Sequence, residues 1–281
     1  MRPRGLIACL LLTFALTGCD SHPVLLGRQP NPSAARGVIK GPDSTTEPGA
    51  ETPGQLPVVI NHGPRDVNTV ALTFDADMTP AMLANLDSGK VQSYANIKVL
   101  DILDKREVPA TFFITGMWAE RYAEVAARIA HEERYEIANH TYRHSAYVPN
   151  CHGLPLLAPS QRTRDPKRTF DILSRFRGHQ TRYFRFPGGC YDTAALRAVA
   201  ATHATVIQYD DVADDPFNDD TDAITSGVLR QAHDGAIVVL HITQDNAPRT
   251  ADALPAIIDG LRARGYRLVD LSDLLDARSA R

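Results

Sequence analysis

The sequence has no excess of charge of one sign. Its 30 basic and 33 acidic side chains leave a formal net charge of −3 and are mixed along the chain, so nothing marks a nucleic-acid partner. It lacks any apolar run of the roughly 20 residues that a membrane-spanning helix needs. It has neither the GxGxxG nor the GxxxxGK pattern of phosphate-binding loops, so no nucleotide cofactor is indicated. Cysteine is scarce, with four residues in 281. What is present, 43% hydrophobic residues, suffices for one sizeable globular core with appendages.

The N-terminus reads as an export signal spanning residues 1–19. Arg2 and Arg4 precede a short apolar run, Gly5 to Thr17, which is expected to be removed rather than folded. The run ends in Leu16-Thr17-Gly18-Cys19, which resembles the lipobox of bacterial lipoproteins, so Cys19 is the expected lipid anchor. In a Gram-negative envelope, Asp20 after that cysteine resembles an inner-membrane retention signal. Residues 20–56 are rich in Pro, Gly, Ser and Thr without apolar period and read as a flexible tether. A folded domain is expected over 57–278. The chain is thus expected in a bacterial cell envelope, lipid-anchored on the periplasmic or extracellular face. Cys151 and Cys190 remain as a candidate disulfide in that oxidising setting.

From Val70 onward, β-rich runs alternate with segments of helical period: VALTF (70–74), ATFFIT (110–115), YEIANH (135–140), TRYFRF (181–186), ATVIQY (204–209), AIVVLH (236–241) and YRLVDL (266–271). Helices are expected at 94–106, 118–131 and 251–264. Asp75, Asp77, His140, Arg185, Asp210 and His241 each fall at or just past the C-terminal end of a run. Convergence of five strand ends on one face favours a (β/α) barrel over an open doubly wound sheet, and seven runs suggest a barrel one short of the usual eight.

His140 and His144 stand four residues apart, and one helical turn would aim both imidazoles at a single metal ion. Asp75 and Asp77 follow a buried strand, where carboxylates are costly unless ligated or paired. One can complete a two-His, one-Asp site while the other serves as general base. Arg185 would keep Asp75 ionised, and the Pro187-Gly188-Gly189 turn lets backbone approach a ligand closely. His241 ends the most hydrophobic run. An aspartate from the loop after Tyr209 would raise its pKa and make it a general acid.

Together these segments resemble the NodB-type polysaccharide deacetylases, the fourth carbohydrate esterase family, over roughly residues 58–275. TFDAD is similar to the family's TFDDG motif, HTYRH to H(S/T)xxH, RFPGG to RxPxG, YDDVADDP to the loop with tryptophan and aspartate, and VLH to LxH. The resemblance implies a distorted (β/α)7 barrel, a divalent metal (usually Zn2+), a carbohydrate substrate, and removal of acetyl groups from N-acetylated amino sugars of peptidoglycan or chitin oligomers. It makes Asp75 the base, His140 and His144 metal ligands, Arg185 the partner of Asp75, and the Gly188 N–H an oxyanion donor. His241 is the acid, tuned by Asp215 or, failing that, Asp210.

Three departures stand out. Ala76 occupies the family's metal-ligand position, so Asp77 is expected to take over. Tyr209 or Pro216 stands where the pocket tryptophan belongs, and Val239 replaces the leucine of LxH. The rivals are an inactive barrel that binds cell-wall glycan, an acetyl-ester hydrolase acting on a plant polysaccharide, and a two-His, one-carboxylate iron oxygenase. The last lacks the usual HxD spacing, because Tyr142 occupies that place.

Overall fold

The computed structural model describes residues 55–276. The export signal, the Cys19 anchor, the tether up to residue 54 and the domain's last residues, 277–278, lie outside the described residues. Among the described residues, no helix is long and apolar enough to cross a membrane.

The chain runs through β1 (Val59–Ile60), β2 (Thr69–Ala76), α1 (Pro80–Asp87), α2 (Ile97–Arg106), β3 (Ala110–Ile114), α3 (Gly116–Arg121), α4 (Ala123–His131) and β4 (Tyr135–Asn139). It continues through α5 (Arg164–Leu173), β5 (Gln180–Phe184), α6 (Thr193–Ala200), β6 (Thr205–Ile207), β7 (Asp211–Val212), α7 (Thr221–Gln231), β8 (Ile237–His241), α8 (Thr250–Ala263), β9 (Arg267–Val269) and α9 (Leu271–Asp276). The strands form one parallel sheet in the order β1-β6-β5-β4-β3-β2-β8-β7, and β9 pairs with the start of β2. The sheet curls into a distorted (β/α)7 barrel. The parallel pairing follows from the crossover helices between strands, which cover the sheet's outer face.

Alternation along β2 sorts its residues between two environments. Val70, Leu72, Phe74 and Ala76 join the outer core, between the sheet and its helices. Ala71 belongs to a second cluster with Phe113, Ala138, Ile207, Ile237 and the α9 residues Leu271 and Leu274. Thr73 and Asp75 share that inner side. In the parallel register Asp75 stands opposite both Phe113 and His241.

Two expected helices are altered by tertiary bonds. The first begins at Ile97 rather than Tyr94, because the preceding residues are fastened elsewhere. The Tyr94 N–H donates to the Tyr122 hydroxyl (2.8 Å) and its carbonyl accepts from Trp118 Nε1 (3.0 Å), while the Asn96 N–H donates to the Ile242 carbonyl (2.9 Å). The helix expected over 118–131 divides at Tyr122, which leaves helical geometry at φ −118°, ψ 49°. Its ring lies 5.2 Å from that of Trp118.

Asp211, on the two-residue strand β7, pairs in register with Val238 of the outer core. It is fully buried, and neither carboxylate oxygen has a hydrogen-bond partner. Burial, reinforced by the charge of Asp210, pushes its pKa up to about 8. The unfolded chain loses this proton near pH 4, so folded Asp211 subtracts stability progressively as pH rises from about 4 to about 8, with a slope approaching about 1.4 kcal/mol per pH unit. Asp211→Asn should flatten that decline, as read by urea midpoints at pH 5 and pH 8. An unchanged slope would show that Asp211 is not the group responsible.

Candidate active site and metal centre

The inner side of β2 delivers Asp75 at its end and Asp77 just beyond, both almost fully buried. The Asp77 N–H donates to Thr243 Oγ1 (3.1 Å), which fixes the turn after the strand. Ala76, between them, faces the helices with no exposed surface.

Arg185, just past β5, is completely buried. Its guanidinium donates from Nη1 to Asp75 Oδ1 (2.7 Å) and Thr73 Oγ1 (2.9 Å), from Nη2 to the Gln208 carbonyl (3.3 Å) and from Nε to the Ile207 carbonyl (3.4 Å). The Phe113 ring lies 3.8 Å from the guanidinium carbon and that of Tyr209 5.4 Å. A buried cation is tolerable because these acceptors and ring faces replace its hydration. Burial opposes ionisation of Asp75. The charge of Arg185, then those of His140 and His241, and the Arg185 hydrogen bond outweigh that and hold its carboxyl below the ordinary value.

His140 and His144 do not lie on a helix. The segment after β4 is an irregular loop, with Thr141 at φ 70° and His144 at φ 52°. Left-handed backbone is costly for such residues, and the cost is offset by bonds to neighbouring elements. The Thr141 N–H donates to Asn139 Oδ1 (2.9 Å), and the Tyr142 N–H to Asp165 Oδ1 (2.8 Å) at the start of α5. The carbonyls of Thr141 and Tyr142 accept from the Gly116 and Met117 N–H groups (3.0 and 2.9 Å), the otherwise unpaired first turn of α3. The imidazoles still converge, with ring centroids 4.9 Å apart.

His140 Nδ1 lies 3.0 Å from the Arg185 carbonyl. A carbonyl only accepts, so Nδ1 carries the proton and Nε2 presents its lone pair. Nε2 lies 3.5 Å from both Asp77 Oδ1 and Asp75 Oδ2, and His144 Nε2 lies 3.3 Å from Asp77 Oδ1. Burial lowers both imidazole pKa values to about 4, so both are neutral at pH 7. Burial, with the charges of Asp75 and Asp215, raises that of Asp77. His140 Nε2 and Asp77 Oδ1 are buried and have no hydrogen-bond partner. The Asp77, His140 and His144 ligand atoms all lie within 4.8 Å of one another. Acceptor atoms buried this close together are unfavourable until a cation sits among them, and the donor set of two imidazoles and a carboxylate suits a divalent ion.

His241, at the end of β8, bonds through Nδ1 to Asp215 Oδ1 (2.9 Å), while its N–H donates to Asp215 Oδ2 (2.8 Å). Thr250 Oγ1 donates to the same oxygen at 2.6 Å. Burial would lower the His241 pKa, but the charge and hydrogen bond of Asp215, followed by Asp77 and Asp75, raise it to about 10. Its Nε2 lies 3.9 Å from Asp77 Oδ2. Asp210 does not join the site. It binds Arg65 (2.9 Å) and His233 (3.1 Å) and accepts from the Ile237 N–H (3.1 Å).

The Phe186-Pro-Gly-Gly turn directly follows Arg185, with Gly188 and Gly189 at φ 63° and 68°. A side chain at Gly189 would collide with the Tyr209 hydroxyl, whose oxygen would lie 2.6 Å from the new Cβ. Val239 is buried on β8 opposite Thr73. Cys151 and Cys190 form a disulfide with Cα atoms 6.0 Å apart. Sequence reasoning missed Thr73, Phe113, Thr243 and Thr250. Thr73 carried a signal, since two residues before Asp75 on a strand means the same face.

The chain belongs to the polysaccharide deacetylase family, whose model matches residues 62–207, just over half of its length; it is an enzyme of the class that acts on amide bonds of acetylated sugars. It is 29% identical over 224 residues to a peptidoglycan-N-acetylglucosamine deacetylase of Bacillus cereus, covering 78% of this chain and 72% of that protein. Among solved structures, a family 4 acetyl xylan esterase from Clostridium thermocellum in complex with a cobalt ion matches with TM-score 0.60 and 26% identity, over 76% of this chain and 93% of the other. A family 4 pseudoenzyme from Bacillus anthracis matches with TM-score 0.63 and 24% identity, over 78% and 69%; that likeness is one of fold alone.

Proposed function

We propose that this enzyme removes acetyl groups from the N-acetylated amino sugars of an envelope polysaccharide, peptidoglycan before chitin oligomers, with Zn2+ held by Asp77, His140 and His144. The carrying observation is the buried pair of unpartnered atoms, Asp77 Oδ1 and His140 Nε2, beside a carboxylate locked by Arg185. Similarity to the peptidoglycan deacetylase supports the substrate class, and the cobalt complex of the esterase supports a metal.

When bound, the ion supplies Lewis-acid polarisation of the acetyl carbonyl and acidifies a water. Asp75 accepts that water's proton at Oδ2, because Oδ1 is held by Arg185. Arg185 keeps the carboxylate ionised and aimed. The Gly188 N–H donates to the oxyanion that develops on the carbonyl oxygen. His241, its Nδ1 held by Asp215, gives its Nε2 proton to the departing nitrogen, and acetate and a free amine result. Tyr209 and Val239 line the approach on the substrate side. An inactive barrel is suggested by Ala76 and by the absent pocket tryptophan; in this reading Asp77 supplies the carboxylate that Ala76 lacks.

We place the enzyme in the cell envelope, anchored through Cys19 and reaching its glycan on the tether. The disulfide, a bond that persists in oxidising compartments, supports export. Acetate release from peptidoglycan, chitin oligomers and acetylated xylan tests the activity and ranks the substrates, with Asp75→Asn as control. Equal release by the variant would remove Asp75 as base, and release from xylan alone would make the enzyme an ester hydrolase.

The acid role carries its own test. Asp215 raises the His241 pKa, so Asp215→Asn lets burial pull it down. The alkaline limb of kcat/KM, where His241 loses its proton, should then move to lower pH by at least one unit. An unmoved limb would assign it to another group.

A further inference from the structure

The disulfide joins two loops that carry different parts of the site. Cys151 lies midway along the loop that begins with His140 and His144, and Cys190 directly follows Gly188 and Gly189. The two cysteines are 39 residues apart in sequence. Cys151 is almost completely buried, and its sulfur packs on the Gly188 backbone: a Cβ built there would lie 2.8 Å from Sγ. The opposite flank of the turn is held by Tyr209, whose hydroxyl would lie 2.6 Å from a Cβ on Gly189, and by Gln208, which donates from Nε2 to the Gly189 carbonyl (3.0 Å). Internally the turn has one bond, from the Gly189 N–H to the Phe186 carbonyl (2.9 Å). Among the described residues, the Gly188 N–H donates to no protein acceptor. A glycine pair with positive φ has many backbone alternatives open to it, so one internal bond is a weak restraint on where that N–H points.

We propose that the Cys151–Cys190 bond is a positioning element for catalysis. It presses the Gly188 turn against Tyr209 and so holds the Gly188 N–H in a fixed direction, independently of the metal ligands. The catalytic part of this inference rests on the reading of that N–H as the oxyanion donor, whereas the mechanical part does not. Oxyanion donors act through preorganisation, and losing one costs about 10²–10³-fold in kcat where it has been measured. A donor that is loosened rather than lost should therefore cost roughly tenfold or more.

The test is the full chain with Cys151→Ser and Cys190→Ser together. Serines are preferred to chemical reduction, because free thiols beside His152 would offer three ligand atoms within 4.8 Å and take up metal themselves. Three quantities are read against the wild type: zinc per chain, kcat and KM for acetate release, and amide hydrogen exchange in residues 186–190 and 237–241. The expected result is unchanged zinc, KM within about twofold, kcat lower by roughly tenfold or more, and at least tenfold faster exchange confined to 186–190. Unchanged exchange there overturns the proposal, whatever kcat does. A rise spread equally over 237–241 also overturns it, since the bond would then be a general staple of the domain. If the wild type releases no acetate, the deacetylase reading fails by itself, and the exchange measurement still decides whether the bond holds the turn.

Discussion

Asp77→Ala is expected to deprive the enzyme of its metal. Among the described residues, Asp77 Oδ1 is the one carboxylate oxygen within reach of both His140 Nε2 and His144 Nε2, at 3.5 and 3.3 Å, and without it two neutral imidazoles remain. Changes to groups behind the ligands commonly cost about 10–100-fold in metal affinity, so loss of a ligand should cost roughly 100-fold or more. Elemental analysis after dialysis should find the wild type loaded and the variant nearly empty, with acetate release falling in parallel. Adding Ala76→Asp should not restore the metal, because position 76 faces the helix layer and a carboxylate there is buried among apolar side chains. Stoichiometric metal in Asp77→Ala would move the site elsewhere.

Asp75→Asn should separate chemistry from metal binding. The amide keeps the shape and can still accept from Arg185 through Oδ1, but it cannot take a proton. General-base catalysis is worth about 10²–10⁴-fold, so kcat should fall by that order while zinc content stays at the wild-type level. The same substitution leaves the buried Arg185 cation without its anion. A drop in thermal stability should therefore accompany the loss of rate, and measuring both is part of the test. If kcat falls less than about tenfold, Asp75 is not the base.

Much of this arrangement was legible in the sequence, and the reasons differ by element. Strands of five residues or more, such as β2, β3, β4 and β8, announced themselves through apolar runs, and reactive residues at their ends fixed the active face. The structure, rather than the sequence reading, set Asp75 on the inner side of β2 and turned Ala76 to the helices. The two-residue strands β1 and β7 left no trace, because a pair of residues has no period. The loop holding His140 and His144 was misread as a helical turn, since its shape is imposed by N–H groups of α3 and by Asp165, which are distant in sequence. The preference for Asp215 over Asp210 came from the family resemblance and not from any pattern in the acidic run. Asp210, Asp211, Asp214 and Asp215 lie within six residues, and only the register of β7 on β8 decides which one reaches His241, which one is drawn off by Arg65 and His233, and which one is buried without a partner.

Arg185 has a consequence beyond the carboxylate it steadies. Along the wall of the barrel, neighbouring strands are joined by backbone ladders, but among the described strands no ladder joins β6 to β7. The guanidinium leaves the end of β5 and grips the carbonyls of Ile207 and Gln208 at β6 together with Thr73 and Asp75 on β2. It is a strut across the lumen, tying one limb of an open curve to its middle. The shape of the mouth and the ionisation of the base thus hang on the same four hydrogen bonds from one side chain. A lysine, with a point charge in place of a planar fork, can answer the carboxylate but cannot span the opening.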